Sequence, residues 1–204
     1  MRILVVGAGA VGGYFGARLG EAGRDVTFLV RQKHVERMKQ AGIRIVSPHG
    51  DLTVYPNVVT SDQINEHYDV VLLAVKSYAL TDAMNDFSGA IGPDTMILPA
   101  LNGMRHIDVL ISRFGKPAVI GGVCKVAREL DDEGRIHQLA RFQSLTYGEI
   151  DGERTPRIEK LDDALRGAGF DAEISDRIIA DMWQKWVQLS SLGAVTCLLR
   201  SNIG

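Results

Sequence analysis

Cysteine is scarce in this sequence: two thiols, Cys124 and Cys197, stand among 204 residues. They have no CxxC spacing and sit among apolar or small neighbours, so they read as two buried thiols in a reducing compartment. A disulfide framework and a cysteine-built metal site are both excluded on that pattern. Long apolar runs are missing too. No stretch approaches the length of a membrane span. The opening Ile3-Leu4-Val5-Val6 is too short for the apolar core of a secretory signal and runs straight into glycine, so the expected location is the cytoplasm. Neither sign of charge dominates. The formal net charge is -2 and the lysines and arginines form no run, so nothing draws the chain to nucleic acid or to an anionic membrane. His34, His49, His67, His106 and His137 are scattered without a metal-ligand pair, which predicts no metal and surface or loop roles. His106 alone follows a candidate site turn. There is no nucleophile elbow or Ser–His–acid arrangement.

What is present begins at the first residues. Arg2 to Val6 is rich in β-branched residues and reads as a buried parallel strand. Gly7-Ala8-Gly9-Ala10-Val11-Gly12 follows at once, then helical spacing from Gly13 to Glu21, then a second strand from Asp25 to Val30. A glycine-rich turn between a strand and a helix is a dinucleotide-binding fingerprint. Gly7 permits the tight turn, Gly9 lets backbone approach a diphosphate, and Gly12 lets helix and strand pack closely. The helix N-terminus offers free N–H groups and partial positive charge to the phosphates.

The end of the second strand bears on the cofactor. A ribose 2′-OH is usually met by Asp or Glu about 20 residues beyond the glycines. Here the chain reads Arg31-Gln32-Lys33, with no acid before Glu36. Two cations at a helix start are unfavourable without an anion, so Arg31 and Lys33 predict a 2′-phosphate and hence NADP(H).

The rest alternates between strand and helix. Lys33 to Gln40 is predicted helical, and Ile43–Val46 with Leu52–Tyr55 reads as a hairpin. Tyr68 to Val75 is a near-continuous apolar run, a central strand ending at Lys76, followed by a helix from about Tyr78 to Phe87. Thr95–Leu98 is a buried strand, Leu101–Met104 a turn, Ile107–Phe114 a helix, and Ala118–Ile120 a further strand. From Gly121 the pattern changes to antiparallel strands at Val123–Glu129, Arg135–Leu139 and Ser144–Tyr147. A helix over Pro156–Arg166 and a strand over Phe170–Ile174 follow. The expectation is an α/β Rossmann domain over 1–175, with a doubly wound, mostly parallel sheet. Arg177 to Leu199 is helical spacing with apolar residues on several sides, Trp183 and Trp186 among them as core or domain-interface residues. Such a helix needs neighbours. It either joins two copies as a homodimer or, the favoured reading, forms over 176–204 the first helix of an all-helical C-terminal domain.

Taken together, the glycine motif, Arg31, the strand ending in Lys76, Asn102-Gly103-Met104 and Met182-Trp183-Gln184-Lys185 resemble the 2-dehydropantoate 2-reductase (ketopantoate reductase) family over the whole chain. Members of that family run longer, so the resemblance implies a truncated chain whose activity needs the rest. It implies NADPH-dependent reduction of a 2-oxo acid to a 2-hydroxy acid, in that family ketopantoate to pantoate in pantothenate biosynthesis. It places Lys185 beside the carbonyl, Lys76 near cofactor and substrate, and Asn102 at the nicotinamide and substrate end. Where the family carries asparagines four and eight residues after the helical lysine, this chain has Leu189 and Gly193, which donate no side-chain hydrogen bond. Two alternatives therefore stand beside ketopantoate reduction: a related NADP-dependent oxidoreductase with another 2-oxo acid substrate, and a non-catalytic NADP(H)-binding module.

Overall fold

The computed structural model describes residues 1–202; the last two positions of the 176–204 segment lie outside the described residues. Five parallel strands form the first sheet in the order β5-β2-β1-β6-β7, with β1 (Arg2–Val6), β2 (Asp25–Leu29), β5 (Asn57–Val59), β6 (Val70–Leu73) and β7 (Met96–Pro99). The central strands are buried on both faces, which is why β1 and β6 read as unbroken apolar runs. Strand β5 escaped the sequence reading. Three half-exposed residues at a sheet edge carry too little periodicity to register.

Helix α1 (Ala10–Glu21) lies between this sheet and a second one, and residues Gly12 through Leu19 are all buried. Its glycines make that possible. A Cβ at Gly16 would lie 2.4 Å from the Phe28 ring, and one at Gly12 would lie 2.2 Å from the Gly7 carbonyl oxygen. On the far side, Phe15 meets Phe170 edge to face at 4.9 Å. Helices α3 (Leu80–Phe87) and α4 (Arg105–Phe114) cover the other face of the first sheet, and α2 (Gln32–Ala41) follows β2. The chain is thus an α/β, Rossmann-like fold, as the alternation predicts.

The second sheet runs β10-β9-β3-β4, with β8 also paired to β9. The predicted hairpin is present as β3 (Ile43–Val46) and β4 (Leu52–Val54). The segment predicted as three antiparallel strands is a single long hairpin of β8 (Ile120–Leu130) and β9 (Ile136–Glu149). The expected break after Leu139 is real but is an irregularity inside β9: Val126 pairs with Gln143, yet Arg128 pairs with Gln138. The expected strand at 118–120 contributes one bridge, Ile97 to Val119, before the chain leaves for the second sheet as β8. Gly122 permits that passage, because a Cβ there would lie 2.4 Å from the Pro99 carbonyl oxygen. Helix α5 (Pro156–Leu165), N-capped by the Thr155 hydroxyl, and β10 (Asp171–Ile174) complete this layer.

Helix α6 (Ile178–Leu199) follows β10. Only Ile178 and Met182 are buried along it, and Trp183, Val187, Leu198 and Leu199 are exposed. Cys197 is exposed as well, against the expectation of a buried thiol, because it lies on this uncovered part of the helix; Cys124 is buried as expected. No helix among the described residues is long and apolar enough to cross a membrane.

Candidate functional site

Parallel strands end in the same direction, so their following residues collect along one edge. In sheet order that edge carries Arg31 after β2, Gly7 to Gly12 after β1, Lys76 after β6 and Asn102 after β7. Four adjacent strands at about 4.8 Å spacing make this a row about 15 Å long.

A cleft of about 800 Å³ opens at the β2–β1 end of the row. Gly7 and Ala8 line it from the glycine turn, and Arg31 lines it from β2. Gly9 is the N-cap of α1, and a Cβ on it would have nothing within 4 Å. Ala10, Val11 and Gly12 form the helix start behind it, with the Gly13 N–H already bonded to the Gly9 carbonyl at 2.8 Å. The turn is therefore an open cradle facing a helix N-terminus, a shape suited to a diphosphate. Gly7, at φ +98°, is held there by close approach, since a Cβ would lie 2.8 Å from the Ala74 carbonyl oxygen.

The basic residues of this cleft differ from those expected. Lys33 does not line it, whereas His34, Arg37 and Met38 do, at the three- and four-residue spacing of one face of α2. Helical phase is the signal that separates them, and it is legible only once the buried face of α2 is known. Burial together with the charges of Lys33, Arg37 and Arg31 pushes the His34 imidazole below its ordinary value, a sign of concentrated positive potential. No ion pair among the described residues involves Arg31, His34 or Arg37. Asp62, Asp82 and Asp86 line the same cleft. Arg37 also reaches the β8–β9 turn, where a Cβ on Gly134 would collide with its Nη2.

A second feature lies at the β7 end of the row, a narrow crevice between Asn102-Gly103, Gly122-Val123 and helix α6. Ile178, Met182, Lys185 and Leu189 are spaced by four, three and four residues and so share one face of α6. The first two are buried, and Lys185 and Leu189 line the crevice opposite Asn102. Ile178 packs so closely that a Cβ on Gly121 would lie 2.6 Å from its Cγ1. That contact sets the helix phase and therefore the direction of Lys185. The lysine is half-buried, and burial lowers its pKa below the ordinary lysine value, with Cys124 opposing and Arg128 and Lys125 adding to the shift. Lys76 is exposed at the edge of β6 and lines neither cavity. Trp186 joins the crevice wall, and both tryptophans are exposed, so neither is a core residue, which leaves the domain-interface half of that expectation. Among the described residues there is no cluster of His, Cys, Asp and Glu that could hold a metal ion.

His106 is not at the surface as its sequence context suggested. It lies in the first turn of α4, 5% exposed, and its Nε2 has no hydrogen-bond partner. Burial first, and then the Lys185 charge, lower its pKa to about 4, against a small opposing effect of Asp108. Below pH 6.5 the unfolded chain binds a proton there that the native state refuses until about pH 4. Stability is therefore lost as pH falls through this window, by about 3 kcal/mol in total. Urea unfolding between pH 7 and 4 should show the wild type losing about that much more than His106→Leu; parallel curves would refute the burial argument.

A model of the family described as ketopantoate reductase PanE/ApbA matches residues 3–152. The chain is 39% identical over its full length to an uncharacterized oxidoreductase, YkpB, of Bacillus subtilis (strain 168), and covers 67% of that protein. It is 29% identical to 2-dehydropantoate 2-reductase of Mesorhizobium japonicum, over 93% of this chain and 65% of that one. The crystal structure of 2-dehydropantoate 2-reductase from Geobacter metallireducens GS-15 superposes with a TM-score of 0.90 at 30% identity, over the whole of this chain and 67% of that one. The chain thus spans about two thirds of the length of these relatives.

Proposed function

Because the chain belongs to the ketopantoate reductase PanE/ApbA family, we propose that it carries the NADPH-binding part and the proton donor of an enzyme reducing a 2-oxo acid to a 2-hydroxy acid. The observation that carries the reading is the single row of strand ends. It puts an open glycine cradle, unpaired cations at one end and the Lys185–Asn102 crevice at the other. The row has the reach of an extended dinucleotide, adenosine toward Arg31 and nicotinamide toward Asn102. Arg31 and Arg37 engage the 2′-phosphate; Lys33 and Lys76 add positive potential from outside the cavities.

When bound, the nicotinamide supplies the hydride. The protein's share is orientation and a proton. Negative charge builds on the carbonyl oxygen as its carbon is attacked. The Lys185 ammonium stabilises that charge and transfers its proton to the oxygen, leaving a neutral amine and a 2-hydroxy acid. The lowered pKa of Lys185 makes the proton easier to give up than that of a free lysine. The rate of reduction should fall as pH rises through that lowered value. The Asn102 amide orients the carbonyl from the facing wall. Leu189 lines the crevice where a hydroxyl-bearing substrate would want a donor, which favours a 2-oxo acid other than ketopantoate as the second reading.

Parallel calorimetric titrations with NADPH and NADH test the cofactor assignment. NADPH should bind at least about 30-fold more tightly, and Arg31→Ala should remove most of that difference, the loss of one charge-assisted pair being about 2 kcal/mol. Equal affinities would end the case for NADPH. Absorbance loss of NADPH across a panel of 2-oxo acids that includes ketopantoate then separates the two substrate readings.

A further inference from the structure

The crevice at Lys185 has few polar groups. Of the side chains lining it, those of Lys185, Asn102 and Trp186 can donate a hydrogen bond. Leu101, Val123, Met182 and Leu189 are apolar, and Gly103 and Gly122 present backbone alone. Trp186 and Leu189 stand one and four residues beyond Lys185, on the side of α6 that the buried Ile178 and Met182 turn toward β8. Both are reachable from solvent. Trp186 is 37% exposed, and Leu189 is partly exposed. On the facing wall Gly103 has φ +88°, and a Cβ there would meet nothing within 4 Å, so the mouth of the crevice is open on that side.

Helix α6 carries polar residues close by, but they do not serve the crevice. Gln184, Gln188 and Ser190 are exposed, and none of them lines it. The Ser190 hydroxyl donates to the Trp186 carbonyl at 2.7 Å and is thus spent within its own helix. The head group of a 2-oxo acid, a carbonyl beside a carboxylate, is rich in acceptors and can engage all three donor side chains. No donor side chain is then left for a further hydroxyl. A hydroxyl held against Leu189 and the Trp186 ring would give up water without gaining a partner. An apolar substituent in the same place gives up no hydrogen bond and buries its own surface.

We propose that Trp186 and Leu189 are specificity-determining residues, and that the substrate is a 2-oxo acid whose side chain is apolar and carries no hydroxyl. The assignment rests on the reductase reading above. With the carbonyl held at Lys185 and Asn102, the substituent of the acid lies against Leu189 and the Trp186 ring at the open mouth beside Gly103. These two residues choose among 2-oxo acids, whereas Lys185 acts on the group that all of them share.

The test compares ketopantoate with 3,3-dimethyl-2-oxobutanoate, the same acid without its hydroxyl, as substrates for wild type, Leu189→Asn, Leu189→Met and Trp186→Ala. Wild type should favour the acid without the hydroxyl by about 10- to 100-fold in kcat/KM, the range by which an apolar wall rejects an added hydroxyl. In saturating NADP, calorimetric titration with the two corresponding 2-hydroxy acids should give the same order. Leu189→Asn should cut the preference by about 10-fold or more, and Leu189→Met should leave it within about twofold. Each preference is a ratio within one protein, so a loss of folded material cancels. Trp186→Ala should raise KM for 3,3-dimethyl-2-oxobutanoate by about 10-fold while leaving KM for pyruvate, whose methyl group is too small to reach the ring, within about threefold. A wild type that reduces ketopantoate as well as or better than its partner, or a preference unmoved in Leu189→Asn, overturns the assignment and leaves the reductase reading intact. A wild type that reduces no 2-oxo acid refutes both.

Discussion

Lys185→Ala should lower turnover by about 10²- to 10⁴-fold while leaving the dissociation constant for NADPH within about twofold, the usual range for loss of a positioned proton donor. The effect is large because no other described group is placed to replace it. Asn102 donates a neutral amide, His106 is neutral above about pH 4, and Lys76 lines neither cavity. Cofactor affinity should hold because the cleft formed by Gly7, Ala8 and Arg31 lies at the opposite end of the strand row. Stability should hold too, or rise slightly, since a half-buried ammonium without a counter-ion is removed. Single-turnover reduction monitored by NADPH absorbance, beside a cofactor titration, separates these quantities. If Lys185→Ala turns over at the wild-type rate, the proton comes from elsewhere. A non-catalytic NADPH-binding module would show no turnover before the mutation or after it.

The glycines of the opening turn should divide under mutation. Gly12→Ala is expected to destabilise the fold by about 3 kcal/mol, because its Cβ would stand 2.2 Å from the Gly7 carbonyl oxygen and the obstacle is backbone. Gly9→Ala should behave in the opposite way. Gly9 has φ -83° and ψ -164°, which any residue adopts, and its Cβ would meet nothing within 4 Å. The cofactor-free protein should therefore melt no lower, and by the entropy of the unfolded chain somewhat higher. Dinucleotide affinity should nonetheless fall by about 30-fold or more, because the added methyl occupies the space through which backbone N–H groups reach a diphosphate. Thermal unfolding with and without NADPH reads both effects. A stable Gly9→Ala protein that binds NADPH normally would show that the cradle is not the phosphate site.

Much of this architecture was legible along the chain because it rests on local rules. Buried parallel strands read as apolar runs, the glycine turn has a fixed order between strand and helix, and α6 shows its spacing over 22 residues. Other features needed contacts between residues far apart. Lys33 and Arg37 look equivalent in sequence, yet only Arg37 lines the cleft, because packing of Val35 in the core sets the phase of α2. Arg128 gave no sequence signal at all. Only folding placed its guanidinium over Cys124 and left its Nε buried and unbonded. His106 looked like a loop histidine until α4 packed it out of water.

The amino-acid order alone determined the central strands, the helices, the strand-end edge that carries the glycine turn and the family resemblance, but not β5 or the length of the β8–β9 hairpin, since the former depend on hydrophobic period, backbone freedom or short motifs. Tertiary structure decided which cations face the cleft and which histidine is forced neutral. Burial and charge pairing are properties of neighbours in space, and they acquire values only when the chain has closed on itself.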